Sequence, residues 1–396
     1  MDKTLLTPEL LVQNLKPVIA TCKAWNGKSL TLHIIANPCA GGFTQKKKSE
    51  KNFAVLEQAA KDAAGKEACT TIKDVILHKT ERAGHGTQIA ADILAEARAQ
   101  KADGAQWLIV TAGGDGTHLE VQTALAKAAF ASDDDAALIK ECVTILRLPF
   151  GTGNDGSDGR EIEDTIRRLT EPAHFALQRA VKVWYEGTAP DKSIAEKRKQ
   201  IDTYDSLDVM PPWYSFNIAS IGIDAYITYM TNKTKGVMPG DFYQVWVDLA
   251  CLFYGCTFPP KPLTIEVMKD NQVVKTIKSA VEFCLLGVSG HRTYGSNHLI
   301  LPDDNTFCAV KKMPTVRKVA KKSMYNDGSH IGDKYTESEM ADKIRISYDQ
   351  NILVQMDGEV HLLQPEQFPL IIQHTPPVIR VIQCDADTVD KGTVRI

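Results

Sequence analysis

The chain has 396 residues, of which 43% are hydrophobic and 24% are charged, and its formal net charge is −3. This length favours two domains, and the composition is that of an ordinary folded protein. The small net charge gives no general attraction to nucleic acid, so we expect no nucleic-acid partner and only local contact with any membrane. We expect neither a signal peptide nor a membrane span of about 18 apolar residues. Nine cysteines without a Cys-x-x-Cys pair favour a reducing, cytoplasmic location.

The first ~170 residues alternate between strand and helix patterns, which predicts an α/β domain. Strands that alternate with helices form a parallel sheet with helices on both faces. The predicted strands are residues 29–36, 71–77, 107–111 and 142–148, and the predicted helices are residues 46–64, 84–102, 118–131 and 159–169.

The pattern changes near Arg179, after which apolar and polar residues alternate in shorter, hairpin-linked strands. This pattern predicts a mainly antiparallel β-sandwich, with one helix at residues 240–255. Two charged stretches, residues 132–136 and 190–200, are interpreted as loops. We therefore expect an α/β domain at 1–175 and a β-sandwich domain at 176–396, whose final strands could return to the first domain.

Three glycine-rich turns each follow a predicted strand of the first half. The carboxyl ends of the strands are where open parallel sheets bind ligands. Glycine lets backbone N–H groups approach an anion closely, and a following helix adds the positive end of its dipole. We therefore predict a di- or triphosphate site, although a single glycine turn is also a common end of a strand. The turns span residues 37–42, 113–117 and 151–155.

These turns form neither a Walker A motif nor a Rossmann Gly-x-Gly-x-x-Gly fingerprint, so NAD binding is the weaker alternative. Their order resembles the diacylglycerol kinase catalytic-domain family, which includes sphingosine, ceramide and bacterial diacylglycerol kinases. The Gly-Gly-Asp-Gly-Thr block alone is shared with NAD kinases, but the ordered set is specific and extends over roughly residues 29–385. The matching blocks are residues 37–42, 80–85, 113–117, 148–155, 221–225 and 356–359.

The resemblance implies an ATP-dependent lipid kinase that binds ATP in the cleft between two domains. It also implies which residues hold the nucleotide, through the glycine turns and the block that begins at residue 80. These residues are Asn37, Gly41, Gly42, Thr80, Gly113, Gly114, Gly116, Thr117, Gly151, Thr152 and Asn154.

Three carboxylates are candidates for the chemistry of phosphoryl transfer, which needs a neutralised triphosphate and a group near the attacking hydroxyl. Asp115, between glycines, can reach either Mg²⁺ or the substrate, and Glu359 lies two residues beyond Asp357. The resemblance matches Asp357 with the base proposed in bacterial lipid kinases, and Asp115 with that proposed in sphingosine kinases. The choice stays open. Our interpretation favours Asp357 as base and Asp115 as the magnesium residue, with an ordinary Asp-Gly hairpin turn as the alternative for Asp357.

Several segments depart from the family pattern. Asp304 lies in a segment that resembles the structural magnesium loop of the family, but Asn305 stands where glycine is usual. Asp304 is therefore a candidate metal ligand, with a solvated turn as the alternative. Residues 156–160 and 287–295 also differ from the usual pattern near the expected acceptor end.

The acceptor is expected to be a lipid that the protein meets at a membrane surface. The aromatic stretch 237–258 could line an acyl pocket, rest at an interface or form plain core, and the basic run 311–322 could contact headgroups or form a solvated loop. The favoured reaction converts diacylglycerol to phosphatidic acid. The alternatives are a sphingosine or ceramide kinase, an NAD-kinase-like enzyme and a non-catalytic lipid- or nucleotide-binding regulator. The sequence leaves the oligomeric state open, a homodimer included.

Overall fold

The computed structural model of the protein describes residues 4–101, 104–188, 210–234, 243–295, 298–387 and 392–396. The chain divides into two compact units. The first unit consists of Met1–Arg179 and Pro377–Ile396, and the second unit is Ala180–Pro376. Among the described residues, no helix is both long enough and apolar enough to cross a bilayer.

The first unit contains a mostly parallel sheet of seven strands, counted over the described ranges. The strands are β1 (Ser29–Ala36), β2 (Thr71–Lys79), β3 (Ala105–Gly113), β4 (Val143–Pro149), β5 (Ala173–Gln178), β19 (Ile379–Cys384) and β20 (Thr393–Arg395). Their order is β2-β1-β3-β4-β19-β5-β20. The pairs from β2 to β19 are parallel, and β5 pairs antiparallel with both β19 and β20.

Helices connect the parallel strands of the first unit. Strands β3 and β4 are buried along almost their whole length, as expected for a sheet covered on both faces. The α/β class predicted for this half is confirmed. The helices are α1 (Pro8–Ala20), α2 (Gly41–Thr44), α3 (Lys46–Ala64), α4 (His85–Ala99), α5 (Asp115–Ala131), α6 (Asp133–Cys142) and α7 (Ile162–Thr170), with a 3₁₀ turn at Lys23–Trp25.

The loop predicted at residues 132–136 is wrong, because this segment begins α6. The Ser132 hydroxyl accepts a hydrogen bond from Asp135 N at 3.3 Å and caps the helix. Three aspartates in the first turn are favourable near the positive end of the helix dipole. Arg98 of α4 also binds both carboxylate oxygens of Asp135, at 2.6 and 2.7 Å. The charged run therefore stabilises the start of a helix.

The second unit is built from antiparallel strands, which confirms the class predicted for it. The strands are β6 (Val181–Tyr185), β7 (Trp213–Ser215), β8 (Ile218–Gly222), β9 (Pro262–Lys269), β10 (Gln272–Gly287), β11 (Arg292–Tyr294), β12 (His298–Leu301), β13 (Phe307–Lys311), β14 (Thr336–Glu339), β15 (Lys343–Ser347), β16 (Ile352–Met356), β17 (Glu359–Leu363) and β18 (Leu370–His374).

The long strand β10 connects two parts of this sheet. Its first half pairs with β9, and its second half pairs with β8 and β13. Over the described residues the order is β17-β16-β8-β10-β9-β15-β18-β6-β7, while β14 extends from β13 and β11 pairs with β12. Ile265, Ile344 and Val354 are members of the buried core of this sheet. Strands β9 and β10 form a hairpin whose turn is Asp270 and Asn271, and both residues have positive φ.

The second unit also contains helices, of which the first packs on the β8, β10 and β16 region of the sheet. They are α8 (Ile223–Thr234), α9 (Tyr243–Thr257), α10 (Thr315–Lys321) and α11 (Met324–Asp327), with a 3₁₀ turn at Pro365–Gln367. Helix α9 corresponds to the helix predicted at residues 240–255. The basic run 311–322 contains the end of β13 and α10 and is not one solvated loop. The loop predicted at 190–200 lies outside the described residues.

Candidate active site

The first glycine turn follows β1 and is attached to the neighbouring strands by backbone hydrogen bonds. Asn37 N donates to Ala112 O at 2.9 Å, and Gly42 N donates to Phe150 O at 2.8 Å. A Cβ atom on Gly42 would lie only 2.4 Å from the Phe150 ring, so this close approach requires glycine. Helix α2 begins at Gly41, within the turn. The first turn is therefore fixed against the residue that precedes the third turn.

Thr80 lies at the same edge of the sheet as the first turn. Thr80 N donates to Ala36 O at 2.9 Å, directly after the end of β2. The Glu120 carboxylate of α5 accepts hydrogen bonds from Gly84 N at 2.7 Å and Gly86 N at 2.9 Å. Burial raises the pKa of Glu120, while these N–H groups act in the opposite direction. The segment after β2 is thus held to the helix that follows the second turn.

The second and third glycine turns are in direct backbone contact. A Cβ atom on Gly151 would lie 2.6 Å from Gly114 Cα, and one on Gly113 would lie 2.5 Å from Thr117 Oγ1. Any larger residue at position 151 would force the two turns apart. The Thr152 side chain is exposed at the tip of the third turn. The glycines are therefore needed for packing of the turns as well as for access to an anion.

Asp115 is the side chain that links these two turns. Its Oδ1 atom accepts a hydrogen bond from Gly156 N at 2.8 Å, and a Cβ atom on Gly153 would lie 3.0 Å from Oδ2. Asp115 also begins α5, where the backbone N–H groups of the first turn of the helix are directed outward. Among the described residues, no atom outside this helix's own backbone and the residues next to Gly116 lies within 4 Å of a Cβ built on Gly116. A carboxylate beside such an open helix start suits Mg²⁺, which takes one or two carboxylates plus substrate phosphates.

Two polar groups at the third turn are suited to a bound nucleotide. Lys48 Nζ of α3 donates to Gly151 O at 2.5 Å; burial lowers the pKa of Lys48, while Glu161 and Asp115 act to raise it. Asn154 has a φ of 57°, and its buried Oδ1 atom has no hydrogen-bond partner within the described residues. A buried acceptor of this kind normally has a partner, so a ligand donor would fit there. Sequence analysis missed Lys48 because it lies in a run of three lysines typical of a solvated helix face.

A buried ion cluster fixes the far side of the third turn. Asp158 Oδ1 lies 2.6 Å from Arg147 Nη2 and 3.4 Å from Arg168 Nη1, and Asp158 Oδ2 accepts from Arg147 N at 2.6 Å. Burial acts to raise the pKa of Asp158, but the two arginines hold it below its usual value. The departure from the family pattern at residues 156–160 thus creates an anchor between the turn, β4 and α7.

His118 is buried beside the same turn. Its Nδ1 atom lies 2.7 Å from Thr111 Oγ1, and its Nε2 atom lies 3.1 Å from Ser157 Oγ. Burial, and then the charge of Arg147, lower the pKa of His118 to about 3. The imidazole is therefore neutral at physiological pH, and it positions the turn through Ser157.

Asp357 is held in a cluster of donors in the second unit. Its Oδ1 atom accepts from Ser215 Oγ at 2.6 Å, Asn217 N at 3.1 Å and Ile218 N at 3.0 Å. Its Oδ2 atom accepts from Phe216 N at 2.5 Å. Burial raises the pKa of Asp357, while these four donors act to lower it. The carboxylate is thus fixed in one orientation, with more acceptor capacity left on Oδ2 than on Oδ1.

Asp357 also lies in a tight hairpin turn, as the alternative interpretation stated. Asp357 and Gly358 have φ values of 48° and 101° and connect β16 to β17. Glu359 begins β17 and pairs with Met356, so it stands directly after the turn. The Asn232 side chain of α8 donates to Gly358 O at 2.7 Å. The turn is therefore held to α8 as well as to the β7–β8 connection.

Asp224 is a further buried acid of the second unit, and sequence analysis did not select it. Its Oδ2 atom accepts from Ser220 Oγ and from Gln355 Nε2, the latter at 3.2 Å. Burial raises the pKa of Asp224 to about 6, and these two donors act to lower it. Its place in the Ile-Gly-Ile-Asp-Ala block was a signal that could have identified it.

A mostly apolar cavity of about 160 Å³ lies beside Asp224. It lies between α8, α9, α10 and the strands β10 and β13. Its charged groups include Asp224 of α8, Glu282 of β10, and Lys318 and Lys321 of α10. The lining includes Ile223, Asp224, Ile227, Val247, Cys251, Glu282, Phe283, Tyr294, Val310, Lys318, Lys321 and Tyr325. The predicted aromatic stretch thus contributes α9 to the wall of a cavity.

Asp304 is paired with a histidine of the second unit. Its Oδ1 atom is 3.0 Å from His291 Nε2, and both side chains are about half exposed. Across the parts of the chain that the structure describes, no three His, Cys, Asp or Glu side chains are grouped to hold a metal. The metal-binding roles expected for Asp304 and Asp115 therefore stay predictions.

The comparison with known families covers the glycine turns of the first unit. Residues 31–184 match the family model of the diacylglycerol kinase catalytic domain. Residues 31–184 therefore carry a diacylglycerol kinase catalytic domain. The matched range contains all three glycine turns and Lys48. This domain and the relative named diacylglycerol kinase described below make the protein a lipid kinase, which confirms the enzyme class predicted from the sequence blocks.

Similar proteins match over most of the chain. A protein named diacylglycerol kinase from Bacillus subtilis strain 168 is 25% identical over 349 residues, covering 86% of this chain and 93% of that protein. A crystal structure of a diacylglycerol kinase from Bacillus anthracis strain Sterne has a TM-score of 0.52 at 16% identity, covering 91% and 98% of the two chains. A second structure from the same strain has a TM-score of 0.55, also at 16% identity, covering 92% and 100%. These structures share the fold of this chain.

Proposed function

We propose that the protein transfers the γ-phosphate of ATP to the hydroxyl group of a lipid, with diacylglycerol as the acceptor and phosphatidic acid as the product. The observation that carries this proposal is the contact of Gly114 with Gly151, which combines two glycine turns into one anion-binding surface beside Lys48 and Asp115. The Bacillus subtilis relative named diacylglycerol kinase supports the choice of acceptor.

The first unit supplies the groups for the nucleotide. The N–H groups at the start of α5 and the Lys48 ammonium stabilise negative charge on the phosphates, and the glycines permit the phosphates to approach the backbone closely. Asp115 would hold Mg²⁺, which neutralises charge on the transferring phosphate when it is bound. The unpartnered Oδ1 of Asn154 would accept a hydrogen bond from the nucleotide. Asn37, Thr80 and Thr152 border the same edge.

The second unit supplies the groups for the acceptor. Asp357 accepts the proton of the attacking hydroxyl on Oδ2, because Oδ1 already accepts three hydrogen bonds. The pKa raised by burial makes this carboxylate a stronger base than an exposed aspartate. Glu359, next to the turn, is a second candidate carboxylate for the reaction. The cavity beside Asp224 receives an acyl chain of the lipid, and Asp224 is the polar group nearest to the headgroup end.

The same function implies a cytoplasmic protein that contacts membranes peripherally, since its acceptor resides in a bilayer. The alternatives of an NAD-kinase-like enzyme and of a non-catalytic regulator are not favoured by any feature of the second unit's described residues. A mostly apolar cavity with a few charged residues in its lining suits a lipid, and a polar dinucleotide would leave its apolar walls without a partner.

The test is a phosphorylation assay with radiolabelled ATP and mixed micelles of diacylglycerol, sphingosine or ceramide. We expect label in phosphatidic acid, and none above background for Asp115→Ala. Label in sphingosine 1-phosphate or ceramide 1-phosphate would show that the acceptor is sphingosine or ceramide instead of diacylglycerol. Label on added NAD, with none in the organic phase, would contradict the proposal.

A further inference from the structure

Helices α9 and α10 present apolar side chains to solvent on one surface of the second unit. Leu252 and Phe253 of α9 are 50% and 54% exposed, and Val316 of α10 is 81% exposed. Val245 of α9 and Val319 of α10 are also exposed, and the two helices pack against each other. These five side chains are called the α9–α10 surface. Exposure of several large apolar groups on two adjoining helices marks a contact surface.

Helix α9 is apolar on both of its faces. Its inner face contributes Val247 and Cys251 to the cavity, and its outer face carries Leu252 and Phe253. Its sequence has a single charged residue, Asp248, which pairs with Lys322. A helix that is apolar all round is normally surrounded by apolar material, either protein core or lipid. On the outer face of α9 that material is absent from the described residues of the chain.

The basic residues that border this surface outnumber the acids that pair with them. Residues 311–322 contain six lysines and arginines and no acid. Four of these cations pair with carboxylates, whereas Lys312 contacts the neutral Pro260 carbonyl and Arg317 contacts the Tyr335 hydroxyl. An excess of positive charge therefore lies beside the exposed valines of α10. Apolar side chains with adjoining cations match an anionic bilayer, whose surface attracts lysine and arginine and whose interior accepts apolar groups.

We propose that the α9–α10 surface docks on an anionic lipid bilayer. The cavity lies directly behind it, because α9 and α10 both line the cavity with their inner faces. In a docked molecule, the cavity would therefore be separated from the bilayer only by the thickness of one helix. The inference rests on the proposed lipid kinase function, because it gives the route by which the acceptor reaches the cavity.

The experiment measures co-sedimentation of the full chain with vesicles of phosphatidylglycerol and phosphatidylcholine, without ATP or diacylglycerol. We expect the double variant Leu252→Glu/Phe253→Glu to reduce vesicle partitioning about tenfold or more, because it places two charges against the bilayer. Val316→Glu is the second variant, since a side chain 81% exposed does not support the core. The matched control is Val273→Glu/Val274→Glu on β10, whose side chains are 50% and 52% exposed; it should partition like the wild type.

Kinase activity on water-dispersed dioctanoylglycerol separates docking from catalysis. We expect the surface variants to keep this activity within about twofold, because the short-chain lipid needs no bilayer. Wild-type protein that does not sediment with anionic vesicles, or a control that loses partitioning equally, would overturn the proposal. The proposal would also be overturned if the surface variants bound vesicles like the wild type but no longer self-associated. That result would identify the surface as an interface between two copies of the chain. Vesicle binding without any lipid kinase activity would overturn only the proposed function.

Discussion

The Nε2 atom of Gln355 lies 3.2 Å from Oδ2 of Asp224, and Gln355 Oε1 accepts a hydrogen bond from Gly358 N at 3.2 Å. One buried amide therefore connects the acid beside the cavity to the turn that holds Asp357. Tyr294 also donates to Gln355 Oε1, at 3.1 Å. Asp224 and Asp357 are therefore connected through hydrogen bonds, so a substitution of either residue should affect the environment of the other.

The assignment of Asp357 as base predicts the outcome of an isosteric change. Asp357→Asn should lower kcat by about 10²–10⁴-fold, because the amide cannot accept the hydroxyl proton. Ser215→Ala is the control, since it removes one hydrogen bond to Oδ1 and leaves Oδ2 unchanged. Steady-state kinetics with thermal unfolding of each variant would measure this. If Asp357→Asn kept near wild-type kcat while Asp115→Asn lost it, Asp115 would be the base.

The raised pKa of Asp224 predicts a pH-dependent stability. Burial raises this pKa from 3.8 to about 6, so the folded chain holds the proton more tightly than the unfolded chain. The resulting stability is complete below about pH 4 and is lost as the pH rises through 6. Asp224→Asn should therefore raise the free energy of unfolding at pH 7.5 by about 1–3 kcal/mol, and have little effect at pH 4.

Urea unfolding at both pH values would measure this difference, with the exposed Asp349→Asn as the control. A variant that is destabilised equally at pH 4 and pH 7.5 would contradict the prediction, because it would show that the carboxylate acts only through its hydrogen bonds. The same variant should weaken use of the lipid acceptor if Asp224 faces the headgroup.

The contact between the second and third turns predicts a steric effect on ATP binding. Gly151→Ala places a methyl group 2.6 Å from Gly114 Cα, so the turns must separate and the anion site must change shape. We expect the Kd for ATP to rise about tenfold or more, which corresponds to about 1.4 kcal/mol. Gly65→Ala, at the end of α3, is the control, because its new methyl group would have no atom within 4 Å among the described residues. Equal Kd values for both variants, by calorimetry, would refute the role of the contact.

The buried cluster at Asp158 predicts a stability effect in the first unit. Asp158→Asn leaves Arg147 and Arg168 without their buried carboxylate, which typically costs about 3–5 kcal/mol. Glu171→Gln is the matched control, because it breaks an exposed pair with Arg167 that should contribute nothing measurable. Denaturant unfolding would compare the two. Similar midpoints for both variants would show that the cluster does not anchor the third turn.

The elements of the first unit could be predicted because their signals are local. Helix α3 spans the residues that its apolar spacing indicated, and β1 ends where Asn37 and Pro38 follow it. Helix α6 was missed because three consecutive aspartates look like a loop until Ser132 is recognised as a cap. Helix α1 was also missed, although Thr7 caps it and Pro8 occupies its first turn.

The residues of the candidate site also differ in how clearly the sequence indicates them. The glycine turns could be found from sequence because glycine at fixed spacing has a direct backbone consequence. Lys48 and Asp224 could not, because their importance depends on burial and on partners far away in the chain. Asp224, for example, is hydrogen-bonded by Gln355, which is 131 residues later. Such pairs follow from strand order, which one sequence does not specify.

Strand β19 lies between β4 and β5, although more than 190 residues separate it from β5 in the chain. During synthesis the ribosome makes β1 to β5 first, and the position beside β4 stays open until the second unit has been translated. The sheet of the first unit is therefore completed last, after the second unit, even though most of it emerges first. A fragment that stops at Arg179 would expose an edge of β4 and would be prone to aggregate.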